Sequence, residues 1–178
     1  GTAPGTLTVS ISATGGQTWN QGTTTRDGTT GISYSIAWCR YNGTWSANPS
    51  VTLSSAGPNA LTAAMYVFRP VLQNSRWVVH NAQSNAAVTT NLAQTINGIA
   101  TTVNRTVTMG FWGNTSNPAK TWAFSGTGAW SRTSIPSNQY RNSSGNMLSH
   151  TAAYNIQSAA VSAATMGNAT QTQVGTLN

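Results

Sequence analysis

The chain has 178 residues, the size of an ordinary single domain, and almost no acidic side chains. It carries eight Lys and Arg residues against a single acid, Asp27, which gives a formal net charge of +7. Ser, Thr, Asn and Gln supply 76 residues, so neutral polar groups must form most of the surface. Because glycoside hydrolysis, calcium sites and magnesium-dependent phosphoryl transfer all need carboxylates, this composition excludes most enzyme classes.

Metal ligands and catalytic groups are equally scarce. The chain's Cys, His, Asp and Glu residues amount to Cys39, His80, His150 and Asp27, widely spaced along the sequence. A Ser-His-Asp triad would need Asp27 and one of the two His, and no G-x-S-x-G turn is present. We therefore expect no enzymatic activity, no metal and no cofactor. Cys39 lies in an apolar run and is expected to be a buried free thiol.

The positive charge comes from missing acids and not from clustered bases. The bases stand singly along the chain, at Arg26, Arg40, Arg69, Arg76, Arg105, Lys120, Arg132 and Arg141. Nucleic-acid binders concentrate their charge along a phosphate backbone, so nucleic acid is not the expected partner. Attraction to a larger acidic protein surface fits the diffuse charge at least as well. No apolar run is long enough to span a membrane.

A hydrophobic period of two recurs along the chain and is typical of β-strands with one buried face. It predicts strands at 7–11, 32–38, 103–111 and 148–156, and a central strand that is apolar on both faces at 61–68. In the last of the alternating runs, Leu148, His150 and Tyr154 are expected on one face. Turn pairs such as Asp27-Gly28 and Asn42-Gly43 separate the runs. The Ala-rich segment 158–166 fits a helix, a strand or a loop.

Many short strands with turn signals between them predict an all-β fold. We expect a single β-sandwich domain over residues 1–178, jelly-roll or Ig-like, built from mostly antiparallel short strands. Its N-terminal strand set looks incomplete, because only 7–11 precedes Trp19. A sandwich that lacks a strand leaves an edge, which a neighbouring subunit can cover by strand addition.

Three of the seven Trp residues are candidate ligand or interface aromatics. Trp45 follows the turn at Asn42-Gly43 and is expected to be exposed, and Trp122 and Trp130 flank a Gly-rich turn across which they could pair as a hairpin. An exposed indole can stack on a sugar or anchor a protein interface. The alternative is core packing, which we expect for at least four of the seven.

Five N-x-Ser/Thr sequons are candidate N-glycosylation sites, at Asn42, Asn104, Asn114, Asn142 and Asn168. In a chain so rich in Asn, Ser and Thr, several of them arise by chance. They could carry glycans on a secreted or archaeal surface protein, and they have no meaning in a virion assembled in a bacterial cytoplasm.

Taken in order, the segments resemble the β-sandwich structural proteins of tailed phages, and related bacterial surface proteins. The resemblance covers roughly residues 18–178 and rests on a loop with Trp, a Gly/Thr turn and Thr-rich strands, at 19–21, 27–28, 32–40, 50–54, 63–69 and 148–157. It implies a capsid decoration or fibre subunit on the virion surface. Such a protein would bind a larger capsid or surface lattice and copies of itself, as a trimer or a strand-exchanged array.

Two other functions stay open. The sequons and the incomplete strand set also fit an extracellular, glycosylated filament or adhesin subunit that is joined to its neighbours by strand donation. A carbohydrate-binding module that uses exposed Trp residues is the third hypothesis.

Overall fold

A computed structural model describes residues 9–12, 17–22, 25–26, 33–41, 43, 45, 47–53, 61–70, 77–79, 93–115, 120–132, 140–142 and 148–176. Strands dominate these residues, and every strand pairing among them is antiparallel. The chain divides into two compact units, Gly1–Ala82 and Gln83–Asn178. The predicted all-β, antiparallel class is therefore confirmed. The single sandwich over 1–178 stays a prediction.

Short two-stranded pairings form the described part of the first unit. Its strands are β1 (Val9–Ile11), β2 (Asn20–Gln21), β3 (Thr25–Arg26), β4 (Ser33–Tyr34), β5 (Ala37–Trp38) and β6 (Val51–Leu53). Strands β1 and β6 pair, and a bond from the Ser12 backbone N–H to the Ser50 carbonyl continues this pairing beyond the strand ends. The strand predicted at 7–11 is thus present over three residues.

The strand predicted at 32–38 is divided into β4 and β5 by a change of register. Asn20 pairs with Trp38 and Thr25 pairs with Tyr34, so five steps along one strand oppose four steps along the other. Gly22 N–H donates to the Ile36 carbonyl between the two pairings, at 2.9 Å. The register therefore shifts by one residue between the two pairings. The predicted turn at Asp27-Gly28 lies outside the described residues.

Segment 61–70 was predicted to contain a central strand buried on both faces, and its exposure shows that this is wrong. Exposed and half-buried residues alternate from Leu61 to Val67, which is the period of an extended chain. The side chains of Leu61, Met65, Val67 and Phe68 are all exposed. The sequence pattern alone could not separate an apolar face that is covered from one that is open to solvent.

The second unit contains two larger sheets and one helical turn. Its elements are β7 (Ala93–Ile96), β8 (Thr106–Thr115), β9 (Lys120–Gly126), β10 (Trp130–Arg132), β11 (Tyr140–Asn142), β12 (Leu148–Gln157), α1 (Ala163–Met166) and β13 (Ala169–Thr176). Strand β12 pairs with β8 along its whole length and, on its other edge, with β11 and β10 in succession. Strand β13 lies between β7 and β9 in the second sheet.

The long strands β8 and β12 confirm the two strongest alternating runs. Strand β8 begins three residues later than the predicted run, at Thr106. Arg105, just before it, has a left-handed backbone with φ of 59°, which cannot continue a strand. The Arg105 N–H donates to the Ser158 carbonyl at 3.2 Å. Helix α1 resolves the ambiguous segment 158–166 into a capped turn that begins after Ser162.

The buried core of the second unit draws on both sheets and on α1. It consists of three Trp, two Ala and one Met side chain, which are Trp112, Trp122, Trp130, Ala153, Ala169 and Met166. On strand β12 the core face is that of Ala153 and Asn155, opposite the face that carries His150. Both faces of the middle of this strand are buried, so the alternation in the sequence did not distinguish the core side.

Candidate functional site

The first unit contains an aromatic cluster around Trp45, the one candidate Trp that lies near the surface. Trp45 is half-buried, and its ring centroid lies 5.5 Å from that of Tyr41, edge to face, and 6.5 Å from that of Trp19. The Tyr41 side chain is 60% exposed. The indole nitrogens of Trp19 and Trp45 are buried without a hydrogen-bond partner. The surface that Trp45 offers to solvent is therefore the carbon part of its ring.

Trp122 and Trp130 lie in the core of the second unit, which corrects their proposed role as ligand or interface aromatics. Trp122 is 2% and Trp130 7% exposed. They do not pair across a hairpin either, because β9 pairs with β13 while β10 pairs with β12. The Gly-rich turn between them thus passes from one sheet to the other, and their indoles fill the core.

The sequons differ in what their Asn side chains do. Asn104 and Asn168 are exposed, and each uses its side-chain oxygen to accept a backbone bond, from Ala160 N–H and Gly98 N–H. Asn114 instead donates its Nδ2, the atom that would carry a glycan, to Gln173 Oε1 at 2.9 Å. Because of this bond and its partial burial, Asn114 is the least suitable of the three to receive a glycan. Asn42 and the side chain of Asn142 lie outside the described residues.

The titratable groups that are described do not combine into a reaction centre. Burial lowers the pKa of His150 to about 4, so the ring stays neutral at pH 7. Partial burial raises the pKa of the Cys39 thiol, which is free and half-buried, so the thiolate is disfavoured. Within the described ranges no three His, Cys, Asp or Glu residues are close enough to hold a metal ion. Asp27 and His80 lie outside those ranges.

The described part of the first unit exposes apolar side chains on two segments, which we call the apolar patch. We define it as the exposed side chains of two segments, Met65, Val67, Phe68, Trp77, Val78 and Val79. The Phe68 and Trp77 rings join the segments, edge to face, with centroids 6.1 Å apart. On the opposite side of the first segment, Tyr66 lies near Tyr34, whose pKa is raised by burial and further by Tyr66. Exposed apolar patches of this kind commonly mark protein interfaces.

One face of the β7–β13–β9 sheet carries small, uncharged side chains in two neighbouring rows, and we call it the uncharged face. Register places Thr95, Thr170 and Ser125 in one row, and Ala93, Thr172 and Ala123 in the next. The hydroxyls of Thr95 and Thr170 lie 2.7 Å apart. The first row continues into an open groove of about 340 Å³ that Thr127 and Asn168 also line. Neither this face nor the apolar patch was predicted from the sequence, although the Thr-x-Thr spacing in β13 indicates such a face.

Comparison with known protein families, with curated proteins and with solved structures finds no match. Among the described residues, no helix has the length and hydropathy needed to cross a membrane. The resemblance to phage structural proteins therefore rests on the sequence segments alone.

Proposed function

We propose that this chain is a non-enzymatic structural subunit of a virion, located on the particle surface as a capsid decoration or fibre protein. The observation that carries the proposal is the apolar patch, an uncovered surface on a chain that has one acid and no pair of catalytic carboxylates. A protein with these properties is suited to making contacts and poorly suited to acid–base chemistry.

We further propose that the second unit is a β-sandwich of the jelly-roll or Ig-like type. Two side-chain bonds between its sheets support this arrangement. Trp112 Nε1 on β8 donates to the Gln94 carbonyl on β7 at 3.0 Å. Asn114 on β8 donates to Gln173 on β13. The core, with side chains from both sheets, is the interior that such a sandwich requires.

The uncharged face of the β7–β13–β9 sheet is the surface through which we expect copies of the chain to associate. Each copy carries an excess of positive charge, so a homotypic contact is favoured where no base is present. The side chains in the rows of Thr, Ser and Ala are short enough for two backbones to approach closely. The outer strands β7 and β9 offer edges for strand exchange as well.

A second candidate function is the glycosylated filament or adhesin subunit. The exposed Asn104 and Asn168 favour it, because neither uses its side-chain nitrogen in the bond described above. Intact-mass measurement on protein from the native source separates the candidates. Hexose additions at Asn104 or Asn168 would support the filament subunit, and an unmodified mass would support the virion protein.

The third candidate function, carbohydrate binding, is favoured by the aromatic cluster. Tyr41 presents a hydroxyl and Trp45 an apolar ring surface side by side, a combination that sugar-binding sites use. Trp45→Ala should abolish binding on a glycan array while Trp77→Ala, at the apolar patch, leaves it unchanged. Absence of any glycan signal from the wild-type chain would remove this candidate.

Density-gradient sedimentation of native lysate tests the proposed function. The chain should travel with the particles that contain nucleic acid. Recovery of the chain only in the slow, particle-free fractions would reject the virion assignment.

A further inference from the structure

The aromatic cluster of the first unit lies beside a buried glutamine. Strands β2 and β5 pair with Asn20 opposite Trp38, and the same register, continued three residues outward along each segment, sets Gln17 opposite Tyr41. Burial alternates from Gln17 to Asn20, as it does in an extended chain. Gln17 and Trp19 therefore lie on the same face, and Tyr41 is the neighbour of Gln17 across the strands.

Four buried polar atoms of this region have no hydrogen-bond partner. They are Nε2 and Oε1 of Gln17 and the indole nitrogens of Trp19 and Trp45. The Trp45 ring packs against both Trp19 and Tyr41, so the four atoms belong to one site. The Gln17 side chain is only 5% exposed. Buried polar groups are normally paired, and an unpaired group in a folded chain calls for an explanation such as a bound molecule.

The unpaired atoms specify what a ligand must offer. The indole N–H groups and the amide NH₂ of Gln17 need acceptors, whereas the amide oxygen needs a donor. An ionised carboxylate only accepts hydrogen bonds, so it would leave the Gln17 oxygen unpaired. Hydroxyl groups both donate and accept. A sugar ring carries several of them on adjacent carbons, together with a C–H face that packs on aromatic rings.

We propose that Gln17 and the aromatic cluster form a binding site for a neutral pyranose. Adjacent sugar hydroxyls bond the Gln17 amide and the indole N–H groups, and the C–H face of the sugar packs on the Tyr41 ring. The four atoms are shielded from solvent in the structure, so the Tyr41 side chain, 60% exposed, turns aside to admit the ligand. This inference rests on the carbohydrate-binding candidate and goes beyond the structural role.

Nuclear magnetic resonance of the full, ¹⁵N-labelled chain tests the binding chemistry. The probes are the methyl glycosides of glucose, galactose and mannose, and cyclohexanol is the matched ring with a single hydroxyl. We expect a glycoside to shift the indole N–H resonances of Trp19 and Trp45 and to leave that of Trp77 in place. Trp→Phe variants assign these resonances. Failure of every glycoside to shift them, or equal shifts with cyclohexanol, overturns the proposal.

Substitution of Gln17 gives a result that a purely structural role would not give. Gln17→Leu should weaken glycoside binding about tenfold or more, while its melting temperature stays equal to that of wild type or rises, because an unpaired buried amide is removed. Gln173→Leu is the matched control, since Gln173 accepts a bond from Asn114 at 2.9 Å. It should lower the melting temperature and leave binding unchanged. Unchanged affinity in Gln17→Leu would overturn the proposed site.

A second variant and two separate readouts keep this inference distinct from the proposed functions. Trp45→Phe retains an aromatic ring but removes one N–H donor, so it should also weaken the glycoside; equal affinity for this variant and wild type counts against the site. Glycan binding that survives both substitutions keeps the carbohydrate-binding candidate and rejects this site. Sedimentation with particles does not depend on either substitution, so the virion proposal stands or falls separately.

Discussion

Trp130 Nε1 donates a hydrogen bond to the Gly167 carbonyl at 3.0 Å, which ties strand β10 to the end of helix α1. Asn155 Nδ2 makes the corresponding bond to the preceding carbonyl, that of Met166, at 3.2 Å. Carbonyls at the C-terminal end of a helix lack hydrogen-bond partners within the helix. Here two buried side chains from the sheet that contains β10 and β12 supply the missing donors. The Met166 side chain of the same turn is buried in the core.

Loss of this indole donor should destabilise the second unit. Trp130→Phe retains most of the apolar volume but leaves the Gly167 carbonyl without its donor, which should cost about 1–3 kcal/mol in the free energy of unfolding. Urea unfolding followed by circular dichroism measures the change. Trp77→Phe is the control and should stay within about 0.5 kcal/mol of wild type, because Trp77 is exposed. Equal midpoints for wild type and Trp130→Phe would contradict the role of the bond.

Gly110 is expected to tolerate no side chain. A Cβ at this position would lie 2.8 Å from the Trp112 ring and even closer to Ile96 Cδ1, on the opposing sheet. Gly110→Ala should therefore cost about 1–3 kcal/mol through overpacking. Gly22→Ala is the matched control, since its nearest neighbour would be at 3.5 Å, an ordinary contact. Thermal melts of both variants measure the difference. A melting temperature of Gly110→Ala equal to that of wild type would show that the two sheets can move apart at little cost.

His150 should control how the fold responds to acid. Its pKa is lowered by burial from 6.5 to about 4 in the folded chain, so between these values the unfolded state binds more protons than the folded state. The stability from the neutral ring is therefore complete above pH 6.5 and is lost as the pH falls toward 4, by roughly 3 kcal/mol in total. The chain's one acid, Asp27, and its other histidine, His80, lie outside the described residues.

Melting temperatures of wild type and His150→Gln, recorded from pH 7 to pH 4, separate the contribution of His150 from that of all other groups. Wild type should lose stability steadily across the range, and the slope should be much smaller in His150→Gln, whatever its starting stability. An unchanged slope in the variant would assign the acid response to another group and remove His150 from the explanation.

Self-association should depend on the uncharged sheet face. Ala123→Arg places a base in the row that contains Thr172 and should lower the self-association measured by light scattering, because each contact would then bring like charges together. Ala159→Arg, at an exposed position outside the strands, adds the same charge elsewhere and is the control. Equal molecular masses for the two variants would exclude this face as the homotypic contact.

Local patterns in the sequence were sufficient for strands whose alternation is long, and insufficient for everything that depends on pairing. Strand β12 could be predicted because large and small residues alternate along its whole length. Its core face could not be predicted, because both faces of its middle part are buried. The positions of Trp122 and Trp130 depend on partners about fifty and twenty-five residues away, β13 and β12, which a Gly-rich turn does not reveal. The apolar patch was missed because an apolar run has the same sequence whether it is covered or exposed.

The location that we propose for this chain is the surface of a virion. Immunogold electron microscopy of gradient-purified particles, with antibody raised against the recombinant chain, tests it most directly. We predict gold at the outer surface of intact particles, in a regular arrangement. Unlabelled particles, with all of the antigen in the particle-free fractions, would contradict this location.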